Sequence, residues 1–391
     1  MISNWTMAIT LVASTVLPAA FLSWVIVGWV KNNAAKLGLM DLPNERKVHT
    51  SPVPRGGGLG IVGGVIGTFA IGSLVVWLAS GYPALSESLL PEQAAKHFPG
   101  LKSKLAQFWV LLGGGLLLAL LGLLDDRFGL PWKPRLLVEF AVAAGVVYWQ
   151  NLQLTAYIQI PWLTSLLSIF WIVLLVNSFN MLDNMDALSS GVASILCSML
   201  SVMLLTTAEQ DRGQPQLFVA AMLLVLLGGL LGFLRYNWPP ASIFMGDAGS
   251  YFVGYWIAIA TLLSTYVDAR GSTPHAVLAP LCLLAVPIYD TLSVVVIRLR
   301  EGRSPFQADK RHFSHRLVEM GMSKKQAVMA IYTATLTCSL CALLLPRTDT
   351  IGAVLVLSIV VCMLILVSAI EGVMRNSRAK PAEPDRSRSD S

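Results

Sequence analysis

The chain predicts an all-α integral membrane protein with about eleven transmembrane helices, and its composition, its spacing of apolar runs and its distribution of basic residues each point there. Of 391 residues 55% are hydrophobic and 13% charged, with a mean hydropathy of +0.66, too apolar for an ordinary soluble domain. Runs long enough to cross a bilayer recur near 8–30, 57–80, 106–124, 136–149, 162–180, 188–207, 216–234, 250–266, 277–297, 327–345 and 350–371. Of the 28 Lys and Arg, 22 fall in the alternate segments 31–55, 125–135, 235–249, 298–325 and the tail from 372. The positive-inside rule therefore predicts the amino terminus outside and the carboxyl terminus in the cytoplasm. Residues 1–371 are expected to form one polytopic domain. Residues 372–391, polar and without an apolar stripe, are expected to be a disordered tail.

Residues 1–30 lack a basic leader and a small-residue cleavage site, so they are predicted to be the first span and not a signal peptide. In the second span Gly58-x-Gly60-x-x-Gly63 matches a dinucleotide fingerprint by letters, but no strand precedes it. Gly60-x-x-x-Gly64 predicts a close helix contact. The third span ends in Gly-Leu-Leu followed by Asp125 and Asp126. These acids either form local ion pairs with Arg127 at a loop start or serve a Mg²⁺ ion or a base role, because adjacent carboxylates repel unless a cation sits between them. The fourth span is short.

At the end of the fifth span Asn177, Asn180, Asp183 and Asp186 recur every third residue. Each such step drifts about 60° around an α-helix, so all four converge only if the helix ends or breaks near Asp183. Before the eighth span, Asp247 stands in Met-Gly-Asp-Ala-Gly-Ser, where flanking glycines allow close backbone approach by a ligand and a helix amino terminus offers N–H groups to phosphate. A plain helix cap by Asp247 or Ser250 is the alternative. Asp290 lies within the ninth span after Pro287, either as a functional intramembrane acid or as the orienter of a helix pair. The loop 298–325 holds eight basic residues and His312 and His315, a setting better suited to phosphate or sugar than to Zn²⁺. The five cysteines lie in apolar spans, and Cys338-x-x-Cys341 is predicted to be packing. The net charge of +6 suits anionic lipid and not nucleic acid. Every polar cluster, with Lys47, His49 and Arg55 upstream, falls on the predicted cytoplasmic side.

From Asp41 to about Leu317 the chain resembles the polyprenyl-phosphate N-acetylhexosamine-1-phosphate transferases. The resemblance is carried by six motifs in the family's order: Asp41 through Leu59, Asp125-Asp126-Arg-Phe-Gly-Leu, Asn177 through Asp186, Phe244-Met-Gly-Asp-Ala-Gly-Ser, Pro287-Ile-Tyr-Asp-Thr and Asp309 through Leu317. It implies transfer of N-acetylhexosamine 1-phosphate, foremost GlcNAc-1-phosphate, from a UDP-sugar to undecaprenyl phosphate at the cytoplasmic face of a bacterial inner membrane, with release of UMP. By matching position, Asn180 and Asp247 would hold Mg²⁺ or Mn²⁺, with Asp126 as a further candidate. Asp125 would act on the lipid phosphate, Asp183 and Asp186 would shape the nucleotide pocket, and Lys47, His49, Arg55, Asn177, His312, His315 and Arg316 would face phosphates or sugar. The chain departs from the family pattern at Asn184 and Ala187, where Gly is usual, and at Ser314, where close relatives carry His. A phospho-MurNAc-pentapeptide transferase is the alternative within the fold, disfavoured by the lack of three consecutive His. A cation-coupled transporter is the alternative from another class, disfavoured because the acids sit at span ends. The sequence leaves assembly open, with a homodimer as one option.

Overall fold

The computed structural model describes residues 2–41, 52–81, 92–152, 154, 158, 160–206, 216–264, 266, 273–306 and 311–379. Each predicted apolar run forms helix: α1 (Ile2–Leu37), α2 (Gly58–Gly81), α3 (Glu92–Phe128), α4 (Trp132–Gln150), α5 (Pro161–Leu182), α6 (Leu188–Thr206), α7 (Leu217–Asn237) and α8 (Asp247–Leu263). A 3-10 turn (Pro274–Leu278) then leads into α9 (Ala279–Leu283) and α10 (Ala285–Arg300), followed by the short α11 (Phe313–Glu319), α12 (Lys324–Leu344) and α13 (Thr350–Ala379). One antiparallel pair, β1 (Met40–Asp41) with β2 (Val53–Pro54), closes the segment after α1.

Among the described residues, eight helices are long and apolar enough to cross a membrane, or nine counting the bent pair around Leu284. The predicted fourth and eighth spans differ for separate reasons. Helix α4 carries Lys133, Arg135 and Glu139 in its first half, and α8 has only 17 residues. The ninth span is bent by 64° at Leu284. Pro287 has no N–H for the preceding turn, and the chain before it is a short 3-10 and α piece and not a continuous helix. Helix α13 continues as far as Ala379, so the predicted tail begins as helix, and residues 380–391 lie outside the described residues.

Small residues set the helix spacing, as expected where lipid removes most of the hydrophobic drive between helices. A Cβ on Gly60 would stand 2.2 Å from Val27 Cγ2, and one on Gly64 would stand 2.7 Å from the Ala19 carbonyl. The predicted Gly60/Gly64 contact is therefore made, and its partner is α1. Ser23 in that contact donates to the Gly229 carbonyl at 2.7 Å, tying α1 to α7. All five cysteines are free, with Cys338 and Cys341 buried in packing.

Helix α8 is the axis of the bundle, and residues 248–260 are all buried. Tyr255 donates to the Leu111 carbonyl at 2.8 Å and Trp256 to the Met222 carbonyl at 3.1 Å, so α3 and α7 are latched to it. Gly122 lets α3 approach closely, since a Cβ there would lie 2.4 Å from the Asp247 carbonyl. This packing places the amino terminus of α8 beside the last turn of α3 and the last turn of α5.

Candidate active site

Asp125 and Asp126 stand in the last turn of α3 and not at a loop start, which was one of the two readings open to the sequence. The helix runs on because Gly129 supplies the left-handed stop, with φ +64° and its N–H bonded to the Asp125 carbonyl at 2.8 Å. Neither acid pairs with Arg127, which stacks over Phe128. Asp125 takes its partners from the turn and helix that follow, and Asp126 from far along the chain. Asp125 accepts from Arg135 and, at 2.7 Å, from the Leu130 N–H. Arg55 lies 3.7 Å from Asp126 Oδ1 and also donates to the Asp126 carbonyl, while Ala248 N donates to Asp126 Oδ2 at 3.3 Å.

The predicted break near Asp183 is present. Helix α5 ends at Leu182 with Asp183 as its cap residue, so Asn177 and Asn180 lie on the helix while Asp183 and Asp186 lie on the turn beyond it. Asn180 Nδ2 donates to Asp247 Oδ1 at 2.7 Å and to Ser250 Oγ at 3.1 Å. Asp186 does not join them: its Oδ2 accepts from Ala241 N at 2.9 Å and braces the α7–α8 loop. Asn177 turns toward Glu139, to which its Nδ2 donates.

Asp247 is not a helix cap. Gly246 occupies the cap position with φ +77° and no side-chain cap bond forms, which leaves the Asp247 carboxyl free to face Asn180 and, at 3.9 Å, Arg135. Gly246 has a second reason to be glycine, since a Cβ there would meet Asp126 Oδ2 at 2.6 Å. Partial burial, then the charges of Asp126 and Asp125, push the Asp247 carboxyl well above its ordinary range. Asp183 is pushed up to about 7, chiefly by burial and then by the charge of Asp126, against the opposing N–H of Gly246. Several carboxylates are thus gathered around two guanidinium groups.

That donor set suits a hard divalent cation. Among the described residues no three His, Cys, Asp or Glu side chains form a closed metal cage. Mg²⁺ does not need one, because it keeps several waters and uses one or two carboxylates together with substrate phosphates. Asp247 and Asp126 supply carboxylate oxygens, and the Oδ1 of Asn180 is left over once its amide nitrogen is bonded to Asp247.

The histidine segment packs against the same turn. Ser314 Oγ donates to Asn184 Oδ1 at 2.5 Å, so two departures from the family pattern meet and join α11 to the Asp183–Asp186 turn. His312 lies 3.2 Å from Asp290 Oδ2 through Nδ1, and the His312 and His315 ring centres are 6.4 Å apart. The third departure, Ala187, adopts φ +61°, held by Asn237, which accepts from its N–H at 2.9 Å, and by Tyr332, which donates to its carbonyl. Arg316 departs from its expected role. Its guanidinium points to the other side of α11, with Nε 3.0 Å from Glu371 Oε1 and Nη2 donating to Ser293 at 2.8 Å. Lys47 and His49 lie outside the described residues.

Sequence reasoning missed Arg135 and Glu139, which hold Asp125 and Asn177. The available signal was two opposite charges four residues apart on one face of a short apolar helix.

The glycosyl transferase family 4 model matches residues 108–265. The chain is 30% identical to a probable undecaprenyl-phosphate N-acetylglucosaminyl 1-phosphate transferase of Bacillus subtilis, covering 91% of each protein. It is 33% identical to a decaprenyl-phosphate N-acetylglucosaminephosphotransferase of Mycolicibacterium smegmatis, over 81% of this chain and 77% of the relative. It is 30% identical to the undecaprenyl-phosphate alpha-N-acetylglucosaminyl 1-phosphate transferase of Escherichia coli K12, over 83% and 81% respectively.

Proposed function

The chain belongs to glycosyl transferase family 4, among the polyprenyl-phosphate N-acetylhexosamine-1-phosphate transferases, and from that membership we propose that it moves GlcNAc 1-phosphate from UDP-GlcNAc to undecaprenyl phosphate. The observation that carries the reading is the convergence of Asp125, Asp126, Asn180 and Asp247 from three helix ends onto Arg55 and Arg135. Joining two phosphate anions requires such a site, in which cations and fixed donors offset the repulsion between acceptor and donor.

In the proposed reaction an oxygen of the lipid phosphate attacks the β-phosphorus of the nucleotide sugar. The new P–O bond forms as the bond from that phosphorus to the oxygen bridging it to the α-phosphate breaks, and UMP leaves with that oxygen. Asp125 accepts a proton from, or orients, the lipid phosphate, and Arg135 holds the Asp125 carboxyl in place. Asp126 is held by Arg55 and the Ala248 N–H, and Asp247 by Asn180. Mg²⁺, or Mn²⁺ in its stead, would sit at Asp247 and Asn180 with Asp126, and would neutralise diphosphate charge there. His312 and His315 face phosphate or sugar from the side of α11, while Arg316 serves the packing of α11 on α13.

The cluster of basic residues on alternate segments supports an orientation with this site in the cytoplasm of a bacterial inner membrane, where a UDP-sugar would reach it. A reporter enzyme active only outside the membrane should be silent when fused after Lys133 or Arg303 and active after Lys102. The reaction is tested with purified protein in nanodiscs containing undecaprenyl phosphate, given radiolabelled UDP-GlcNAc or UDP-GalNAc. UMP release coupled to a labelled lipid, greatest with UDP-GlcNAc, is the expected result; no labelled lipid with either donor overturns the reading.

A further inference from the structure

Asp290 is 1% exposed, in the middle of the bent ninth span, and its two carboxyl oxygens are both committed to the start of α11. Oδ1 accepts from the Phe313 N–H at 2.6 Å, and Oδ2 lies 3.2 Å from His312 Nδ1. His312 itself is 7% exposed. A carboxylate offers only acceptors, so the ring nitrogen facing it must carry a proton, and the free ring nitrogen is then Nε2. The surroundings hold this pair against the acid cluster. The next residue, Thr291, donates to Ser178 on α5 at 2.9 Å, between Asn177 and Asn180 in sequence. Ser314 reaches Asn184 on the turn that follows. Among the described residues, Arg316 pairs with Glu371 at 3.0 Å and Arg311 with Glu301 at 3.2 Å.

We infer that Asp290 is a positioning residue, which fixes His312 with its proton on Nδ1 and leaves Nε2 as the ring atom that meets substrate. What Nε2 meets rests on the phosphotransfer reading, but the placement of the proton does not. A carboxylate at this position does more than cap a helix. The Phe313 N–H alone would be satisfied by the oxygen of an amide, whereas an amide would present its NH₂ group to His312 Nδ1 and force that nitrogen to accept.

The substitution Asp290→Asn therefore separates the two roles. It keeps the bond to Phe313 and reverses the imidazole, so kcat should fall about ten- to a hundredfold with little change in the KM for UDP-GlcNAc. His312→Gln should lose a similar amount, and the double variant should be no slower than His312→Gln alone. The protein has five histidines, so ¹⁵N-histidine labelling gives a small set of signals, and the one missing in His312→Gln is that of His312. It should report a proton on Nδ1 in the unsubstituted protein and on Nε2 in Asp290→Asn. An unsubstituted protein with His312 protonated on Nε2 alone, an Asp290→Asn variant with undiminished kcat, or losses that multiply in the double variant would each overturn the inference. Lack of any transfer by the unsubstituted protein would remove the phosphotransfer reading and leave the NMR result to decide the placement of the proton.

Discussion

On one side of α5, the ends of α3 and α8 crowd Asp125, Asp126, Asp183 and Asp247 around Arg55 and Arg135, with amides and backbone N–H groups making up part of the shortfall. On the other side, where α10, α11 and α13 meet, opposite charges stand in pairs: buried Asp290 with His312, Glu371 with Arg316 and, at the exposed rim, Glu301 with both Arg311 and Arg303. Both regions lie at the same end of the bundle and both bury ionisable groups, so burial alone does not distinguish them. Charge balance does. The paired side has a partner for each of these acids and holds α11 in place, whereas among the described residues the acid side gathers four carboxyls around two guanidinium groups, an excess of negative charge that the proposed cation and substrate would offset.

The largest effect expected from this difference is at Asp247. Asp247→Asn keeps the turn at Gly246 and the contact with Asn180 but offers Mg²⁺ an amide in place of a carboxylate. Transfer should drop to background, while expression and membrane insertion stay normal. Chelation of divalent metal with EDTA should do the same to the unsubstituted protein, and Mg²⁺ or Mn²⁺ should restore it. Substantial turnover by Asp247→Asn, or full activity in EDTA, would break the contrast by showing that the acid side is self-sufficient too.

A smaller but more selective effect is expected at Asp125. Its carboxyl is held by Arg135 and the Leu130 N–H, not by Asn180, so it can act on the lipid phosphate without being a metal ligand. Asp125→Asn should lower kcat roughly 100-fold. Calorimetric affinity for UDP-GlcNAc with Mg²⁺ should stay within about tenfold, or about 1.4 kcal/mol. Raising Mg²⁺ should not rescue turnover. Rescue by Mg²⁺, or a collapse in donor binding, would move Asp125 into the metal site.

The difference between the two regions also explains what could be read from the sequence. Apolar runs are self-reporting, so each predicted run forms helix, though among the described residues only eight helices, or nine with the bent pair, are long and apolar enough to cross a membrane, and the end of α5 at Leu182 follows from the three-residue spacing of Asn177 to Asp186. Asp125, Asp126, Asn180 and Asp247 were visible because acids and amides at span ends are costly without a ligand. The matched pairs were not visible in the same way. Arg316 and Glu371 are 55 residues apart, and nothing in either neighbourhood says that the arginine turns from the acids to α13. Arg135 and Glu139 were hidden because one stands just outside the short run 136–149 and the other alone within it, apart from the polar clusters at span ends.

The smallest effect is expected at the joint between the two regions, where Ala187 sits in a left-handed conformation usually left to glycine. Both polar groups of its backbone are held, the N–H by Asn237 at the end of α7 and the carbonyl by Tyr332 on α12, so the conformation is imposed from outside the residue. Ala187→Gly would relieve roughly 1–2 kcal/mol of left-handed strain. Against this it would lose roughly 0.5–1 kcal/mol to the greater freedom of glycine in the unfolded chain, and about 0.8 kcal/mol for a buried methyl group. These terms nearly cancel, and thermal unfolding in detergent should show a change within about 1 kcal/mol, with transfer activity kept. Ala187→Val adds a β-branched side chain at the same positive φ, where it is a steric outlier, and should destabilise markedly. A large loss with Gly would mean that the methyl group, and not the two backbone bonds, joins the charge-matched side to the acid side.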